Sequence, residues 1–335
     1  MYITTLGFCR RKGSPSKSMI REFHHEDFLP LSSLARKKQS SETTVSLVIP
    51  TLNEAATVGQ IVEKARRELI EDVPLLDEII VMDSNSSDGT AQRARDAGAR
   101  AYNVRDVSPD YPVPLGKGSA LWKSQFVATG DIIVCVDADI CNFQSHFVYG
   151  LVGPFLVDRE VVFAKAFYNR PLKLNNQVFE NYGGRVTEIL VRPLLCAFMP
   201  ELAGLYQPLS GEYAFRRKPV EKIPFSSGYG VEIGMLFDID RTFGLSHVVQ
   251  IDMGTRCHRN RPVAELSCMA LGIIQTMFRK LQRENVLSLH QAIGTTMISR
   301  GQQGLEHSTI TEEELPSKES VMGPHPNAGV RKGRK

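Results

Sequence analysis

Four short apolar runs, the first three each followed by a segment of helical period, limit what this chain can fold into more than any other feature. Val45–Ile49 suits a buried parallel strand. Val58, Ile61, Val62, Ala65 and Leu69 then recur at helical spacing with charges between them, which predicts an amphipathic helix. Glu78–Met82 predicts a second strand and Asp88–Ala97 a second helix. Residues 100–104 predict a third strand. After a Pro- and Gly-containing loop to Gly118, a helix over about Ser119 to Ala128 leads into the fourth run, Asp131–Val136. A β-α-β-α-β order predicts a Rossmann-like, mainly parallel nucleotide-binding sheet with ligands at the carboxyl ends of the strands.

The second half is less regular. Val161–Phe167 and His247–Met253 read as strands, and Arg185–Phe198, Val231–Phe243 and Glu265–Arg283 as helices. The division expected is a mostly disordered extension over residues 1–44, with a short helix near Phe28–Lys37. A nucleotide-binding half over 45–140 and an acceptor-binding α/β half over 141–285 follow. A C-terminal helix and polar tail fill 286–335, and both tails are expected to be dispensable for chemistry. With 335 residues and 42% hydrophobic composition the core is ample. The net charge of +3 is too close to neutral to imply nucleic acid as a partner, and none is expected; much of the excess sits in residues 1–40, with eight Lys or Arg against three Asp or Glu.

Six cysteines (Cys9, Cys135, Cys141, Cys196, Cys257, Cys268) make no CxxC pair and no zinc spacing, which fits a reduced, cytoplasmic chain. The first twenty residues lack the apolar core of a secretory signal. The longest uncharged stretch, Ile140 to Val157, carries Asn142, Gln144, Ser145, His146, two glycines and Pro154, and so is a poor membrane span.

The sharpest chemical signal is Asp137-Ala138-Asp139, placed at the end of the fourth apolar run. Two carboxylates at i and i+2 just past a strand can share one Mg²⁺ or Mn²⁺ together with the diphosphate it holds. Such an ion stabilises charge on a departing nucleoside diphosphate. The bland alternative is a pair of solvated turn aspartates. Ile49-Pro50-Thr51-Leu52-Asn53-Glu54 closes the first run, and Asp83-Ser84-Asn85-Ser86-Ser87-Asp88-Gly89-Thr90 the second. Both put short polar side chains and N–H groups at strand-to-helix turns, suited to a base and ribose. Simple helix capping by Ser87 or Asp88 is the competing account.

This combination resembles the GT-A glycosyltransferases, in which such turns and an Asp-x-Asp surround a nucleotide sugar. The Gln-x-x-Arg-Trp element of the generic inverting branch is missing, since the one tryptophan is Trp122. Further strings narrow the match: Pro114-Leu115-Gly116-Lys117-Gly118, Phe167-Tyr168-Asn169-Arg170-Pro171, Gly183-Gly184-Arg185-Val186-Thr187-Glu188 and Gln207-Pro208-Leu209-Ser210-Gly211-Glu212-Tyr213. After them come Gly228-Tyr229-Gly230-Val231-Glu232-Ile233-Gly234 and Arg256-Cys257-His258-Arg259-Asn260-Arg261-Pro262. Over about Val45 to Arg283 the ordered set resembles the retaining glucosyl-3-phosphoglycerate synthases and the similar mannosyl-3-phosphoglycerate synthases.

The resemblance implies a GT-A fold and a metal-dependent hexosyltransferase moving glucose from UDP-glucose, or another nucleoside-diphosphate glucose, to the 2-hydroxyl of D-3-phosphoglycerate. Its mannosyl counterpart, using GDP-mannose, is the alternative. Implied donor contacts are Pro50, Thr51, Leu52, Glu54, Ser84, Lys117, Asp137 and Ala138. Asp139 and His258 would hold Mg²⁺ or Mn²⁺. Gly184, Arg185, Thr187 and Asn260 would hold the acceptor, and Asp139, Glu232, Leu209 and Arg256 the reacting centre. The family also implies a homodimer. Read physically, Gly183 to Thr187 opens a helix and offers N–H groups, a guanidinium and a hydroxyl to an anion. Glu232 lies on an apolar face, so without a sugar to bind it needs an ion-pair partner, with Arg256 a candidate. Lys165, inside a predicted strand, is a further pocket candidate.

Two other classes compete. A sugar-nucleotide pyrophosphorylase would carry a Gly-rich, basic loop after the first strand, where this chain has Pro50-Thr51-Leu52-Asn53-Glu54. A non-catalytic nucleotide-sugar-binding protein would have no use for Asp137, Asp139 and Glu232 together.

Overall fold

The computed structural model describes residues 20–174, 177–179, 184–257, 262–301 and 304–323. Among these, the main sheet has eight strands. Their spatial order is Arg21–His24, Val248–Thr255, Phe163–Asn169, Tyr213–Arg216, Ile132–Cys135, Val45–Thr51, Glu78–Asp83 and Arg100–Asn103. All neighbours pair in parallel except Tyr213–Arg216, which runs antiparallel to the strands on both its sides.

The continuous apolar runs are explained by burial on both faces. Along Val45–Thr51, Leu47 and Ile49 enter one core and Val48 the other; along Glu78–Asp83, Ile79 and Val81 oppose Ile80 and Met82 in the same way. The pleat sends alternate side chains to opposite faces, so a strand covered twice is apolar throughout. Each such Val, Leu or Ile contributes about 1.5–3 kcal/mol relative to exposure. Helices Val58–Arg66 and His146–Val157 cover the first face. Lys117–Ser124, Val231–Phe243 and Val263–Arg283 cover the second.

The expected strands and helices are found, with ends moved by a few residues, and the sheet is mixed as the fold class requires. The helix at 185–198 begins with a widened, π-helical turn over Thr187–Val191 before Arg192–Phe198. The uncharged stretch forms the buried helix His146–Val157. No helix among the described residues is long and apolar enough to cross a membrane.

Both termini correct the sequence reading. Residues 20–44 are ordered, not a loose extension. Arg21–His24 adds an edge strand beside Val248–Thr255, and Leu31–Ser40 is a helix that buries Leu34, while Phe28 packs into the core against Gly153. The strand escaped notice because four residues held by backbone hydrogen bonds leave no periodic trace. At the other end, Thr296–Gly301 and Gly304–Thr309 form a hairpin, and Glu314–Leu315 pairs antiparallel with Phe225–Ser226. The tail is therefore anchored. The Trp122 indole donates to the carbonyl of Pro316 (2.7 Å), and Lys318 donates to the carbonyl of Gln125 (2.7 Å).

Candidate active site

Three strand-to-helix turns meet at the carboxyl edge of the sheet, and hydrogen bonds lock the first two together. The Asn53 N–H donates to Ser86 Oγ (2.8 Å), the Glu54 N–H to Thr90 Oγ1 (2.9 Å) and the Ala55 N–H to Asp88 Oδ2 (3.0 Å). In return the Ser87 N–H donates to Asn53 Oδ1 (3.0 Å). Asp88 also accepts from the Thr90 N–H (3.0 Å), tying the turns at the start of helix Thr90–Asp96, whose cap residue is Gly89 and not Ser87 or Asp88. Thr51 and Ser84 are buried at the base of this double turn, with Thr51 Oγ1 bonded to Asp83 Oδ1 (3.3 Å). Pro50 is the next-to-last residue of strand Val45–Thr51, and Leu52 stands out from the turn, 56% exposed.

The third turn follows Ile132–Cys135 and carries Asp137, Ala138 and Asp139. The Thr57 hydroxyl donates to the Ala138 carbonyl (2.6 Å), fixing this turn to the first helix. Lys117, first residue of its helix, places Nζ 2.6 Å from Asp137 Oδ1 and 2.8 Å from Glu232 Oε1. Arg256 is almost wholly buried. Its Nη2 lies 3.1 Å from Asp137 Oδ2, 2.9 Å from Asp139 Oδ1 and 3.0 Å from Glu212 Oε1. Glu232 therefore pairs with Lys117, and Arg256 with the other three acids. The suggested Glu232–Arg256 pair is corrected accordingly: helix Val231–Phe243 aims its first turn at Lys117.

Burial penalises the charges of Lys117 and Asp137, and mutual pairing reverses the penalty for both. Desolvation opposes the Lys117 ammonium, yet Asp137 and Glu232 raise its pKa well above the ordinary value. Desolvation likewise opposes the Asp137 carboxylate, yet Lys117 and Arg256 hold its pKa well below the usual range. Glu212 differs, since desolvation outweighs Arg256 and raises its pKa. Lys165 is buried with Nζ donating to the Ser210 carbonyl (2.7 Å), and desolvation lowers its pKa to about 7.

Two carboxylate oxygens, Asp137 Oδ2 and Asp139 Oδ1, converge on a single nitrogen of Arg256. Convergence of hard oxygen donors on one positive centre is what Mg²⁺ or Mn²⁺ requires, so the donor set fits the expected ion. The remaining described candidates lie in separate segments. Leu209 is half-buried three residues before Glu212. Gly184 turns the chain at φ +80°, Arg185 follows, and Thr187 is buried at the helix start. His258 and Asn260 lie outside the described residues. The segment leading to them is pinned to the aspartate loop: the Cys141 N–H donates to the Cys257 carbonyl (3.1 Å), and the Cys257 N–H to Asn142 Oδ1 (2.8 Å).

Sequence reasoning assigned no role to Glu212, Tyr168 or Gly211, although all three lie in strings it singled out. The Tyr168 hydroxyl donates to Glu212 Oε2 (2.6 Å), and its ring lies 5.4 Å from the Arg256 guanidinium. A Cβ at Gly211 would sit 2.1 Å from Asp137 Oδ2, so only glycine lets that carboxylate approach the strand. The antiparallel direction of Tyr213–Arg216 is what delivers Gly211 and Glu212 to this edge, and a short run flanked by polar residues gave no sign of it.

A mixed sheet with two interlocked strand-to-helix turns and a metal-competent Asp-x-Asp at its carboxyl edge defines a GT-A glycosyltransferase. The model of Glycosyl transferase family 2 matches residues 46–205. The glucosyl-3-phosphoglycerate synthase of Petrotoga mobilis is 44% identical over 270 residues, covering 81% of this chain and 83% of that protein. A crystal structure of the Mycobacterium tuberculosis glucosyl-3-phosphoglycerate synthase in complex with Mn²⁺, UDP-glucose and phosphoglyceric acid superposes with a TM-score of 0.79. Its sequence identity is 36%, with coverage of 91% of this chain and 99% of that one. Mannosyl-3-phosphoglycerate synthase from Rubrobacter xylanophilus gives a TM-score of 0.81 at 35% identity, covering 90% and 96%. The chain belongs to the glucosyl-3-phosphoglycerate synthase family.

Proposed function

We propose that this chain transfers glucose from UDP-glucose to the 2-hydroxyl of D-3-phosphoglycerate, giving glucosyl-3-phosphoglycerate and UDP with retention at the anomeric carbon. The observation that carries this reading is the charge-paired cluster of Lys117, Asp137, Asp139, Glu232 and Arg256 at the carboxyl edge of the sheet. Family membership at 44% identity favours the glucosyl reading over the mannosyl one.

Thr51, Glu54 and Ser84, braced by the double turn and flanked by Pro50 and Leu52, hold the nucleoside. Lys117 has three N–H donors. Two face Asp137 and Glu232, leaving the third for a diphosphate oxygen. Glu232 spends one oxygen on Lys117 and offers the other to hydroxyls of the glucose. Gly184, Arg185 and Thr187 receive the acceptor's phosphate and carboxylate at a helix start, where N–H groups and a guanidinium favour anions. Asp137 and Asp139 would hold Mn²⁺ or Mg²⁺ with His258, and Asn260 would assist the acceptor. When bound, the ion supplies charge stabilisation to the departing diphosphate.

Asp137, Asp139, Glu212 and Glu232 all face cations, which suits them to electrostatics and positioning more than to nucleophilic attack. We therefore favour front-face displacement. The bond from the sugar C1 to the acceptor oxygen forms as the bond to the UDP phosphate breaks on the same face, and the acceptor's proton passes to the leaving phosphate oxygen. Trapping a covalent glycosyl-enzyme would overturn this route.

The chain functions as a homodimer in the cytoplasm under this proposal. The exposed apolar residues Val263, Ile298 and Leu305 support a subunit contact, and the free cysteines support a reducing compartment. Incubation of purified protein with Mn²⁺, 3-phosphoglycerate and UDP-, ADP- or GDP-glucose, or GDP-mannose, tests the assignment. The α-linked glucosyl product from UDP-glucose is expected. No glycosylated phosphoglycerate from any donor would refute it.

A further inference from the structure

The C-terminal segment reaches the back of the donor site through one buried carboxylate. Glu312 is 5% exposed, and its side chain accepts from two backbone N–H groups of the glycine loop, Gly228 (2.8 Å, Oε2) and Gly230 (3.2 Å, Oε1). The surrounding atoms leave it no slack. A Cβ at Gly228 would lie 2.4 Å from Glu312 Oε1, and one at Gly272 would lie 2.7 Å from the same atom. Its backbone is held as well, the Glu312 N–H donating to Gln275 Oε1 (2.9 Å) and its carbonyl accepting from Arg279. The neighbouring residue continues the attachment: the Ser227 N–H donates to the Glu313 carbonyl (2.9 Å) and the Glu313 N–H to Ser227 Oγ (3.0 Å).

The loop held in this way supports two residues of the charge cluster. On its far side it accepts from the turn that opens the Lys117 helix, with the Gly118 N–H on the Gly228 carbonyl (3.2 Å) and the Ser119 N–H on the Ser227 carbonyl (2.8 Å). A Cβ at Gly116 would come within 2.5 Å of the Ser227 carbonyl oxygen, and one at Gly118 within 1.8 Å of that of Ser226, so the two backbones are in direct contact. Gly230 is the cap residue of helix Val231–Phe243, whose second residue is Glu232. One loop thus sets the height of both Lys117 and Glu232, whose charges meet 2.8 Å apart.

We infer that Glu312 is a positioning residue for the nucleotide-sugar site: the C-terminal segment is a strut that fixes loop Ser226–Gly230, and through it Lys117 and Glu232. This rests on the reading of those two residues as donor contacts. Burial raises the pKa of Glu312 above the ordinary carboxyl value, while N–H donors of Gly228, Gly230 and Tyr229 oppose the rise. That agrees with a carboxyl group whose solvation comes from the loop amides.

The test uses the full chain with Mn²⁺, below its melting temperature. Glu312→Gln keeps the volume but replaces one acceptor by a donor facing a backbone N–H. It should raise the UDP-glucose KM and the UDP Kd, read by calorimetry, by about tenfold or more, as expected for loss of a charge-assisted buried hydrogen bond. The 3-phosphoglycerate KM should stay within about twofold, because Gly184 to Thr187 belongs to a different segment, at the start of the helical turn Thr187–Val191. Ser227→Ala removes only the Glu313 contact and should shift the same two donor quantities in the same direction by a smaller factor. An unchanged UDP Kd in a folded Glu312→Gln protein overturns the inference, as does an equal rise in both KM values. If Glu312→Gln does not fold, an unchanged UDP Kd in Ser227→Ala overturns it instead. Absence of any product from the wild-type protein would refute the proposed reaction, whereas the UDP Kd still reads the strut.

Discussion

Under the proposed function, the donor and acceptor sides of this molecule would hold an anion in different ways. On the side proposed for the donor the charges come from five separate strand or helix ends and are paired with one another before any substrate arrives: Lys117 with Asp137 and Glu232, Arg256 with Asp137, Asp139 and Glu212. On the acceptor side one segment, Gly184 to Thr187, supplies a left-handed glycine, a guanidinium and a helix start. A braced cluster costs desolvation and repays it through mutual attraction, so its members depend on each other. A local turn depends mainly on its own backbone. Loss of one residue should therefore spread across the donor site and remain confined at the acceptor site.

Asp139→Ala puts the first half of that contrast to its hardest test. It should lower turnover by about two orders of magnitude or more, the scale of losing electrostatic stabilisation at a leaving group. Steady-state rates with and without Mn²⁺ check this, and full wild-type turnover without divalent metal would contradict it. Lys117→Met should come next. It leaves two carboxylates facing each other in a buried place, and should lower stability by about 3–5 kcal/mol along with weaker UDP-glucose binding. Denaturant melts and donor titrations give the two readings, and unaltered stability would show that the cluster is not mutually dependent. Arg185→Ala probes the other side, and should raise the 3-phosphoglycerate KM by about tenfold while leaving the UDP-glucose KM unchanged. Equal effects on both would erase the distinction between the sides.

Lys165 offers the gentlest test. Unfolded, it keeps its proton up to its ordinary value of 10.5; folded, burial lowers that value to about 7. Between those limits the unfolded chain holds the extra proton, so this lysine makes stability rise with pH from about 7 upward and contributes no slope below it. Lys165→Met should flatten the rise in Tm between neutral and mildly alkaline pH relative to wild type. Parallel Tm profiles for the two proteins would show that the buried amine does not titrate in this range.

Legibility in the sequence follows the same divide. Val45–Thr51, Glu78–Asp83 and Ile132–Cys135 could be read because burial on both faces makes them apolar throughout, and the turns that follow them carry the proposed donor residues in the order the chain presents them. Helix Val231–Phe243 was read to the residue from its apolar spacing. What could not be read depends on distance in space. Arg256 meets Asp139 across 117 positions, and no local pattern encodes that meeting. Glu312 sits in a polar stretch whose burial comes entirely from what it docks against. Arg21–His24 joins the sheet through main-chain bonds, which any composition can make.

The single reversed strand has one more implication. Ala214 faces one hydrophobic core, while Tyr213 and Phe215 face the other, and Glu212 begins where they part. The catalytic edge is thus built on the seam between two separately packed interiors. Substitutions deep in either interior would reach the reacting groups by way of this one strand, so drift in one layer constrains which changes the other can accept.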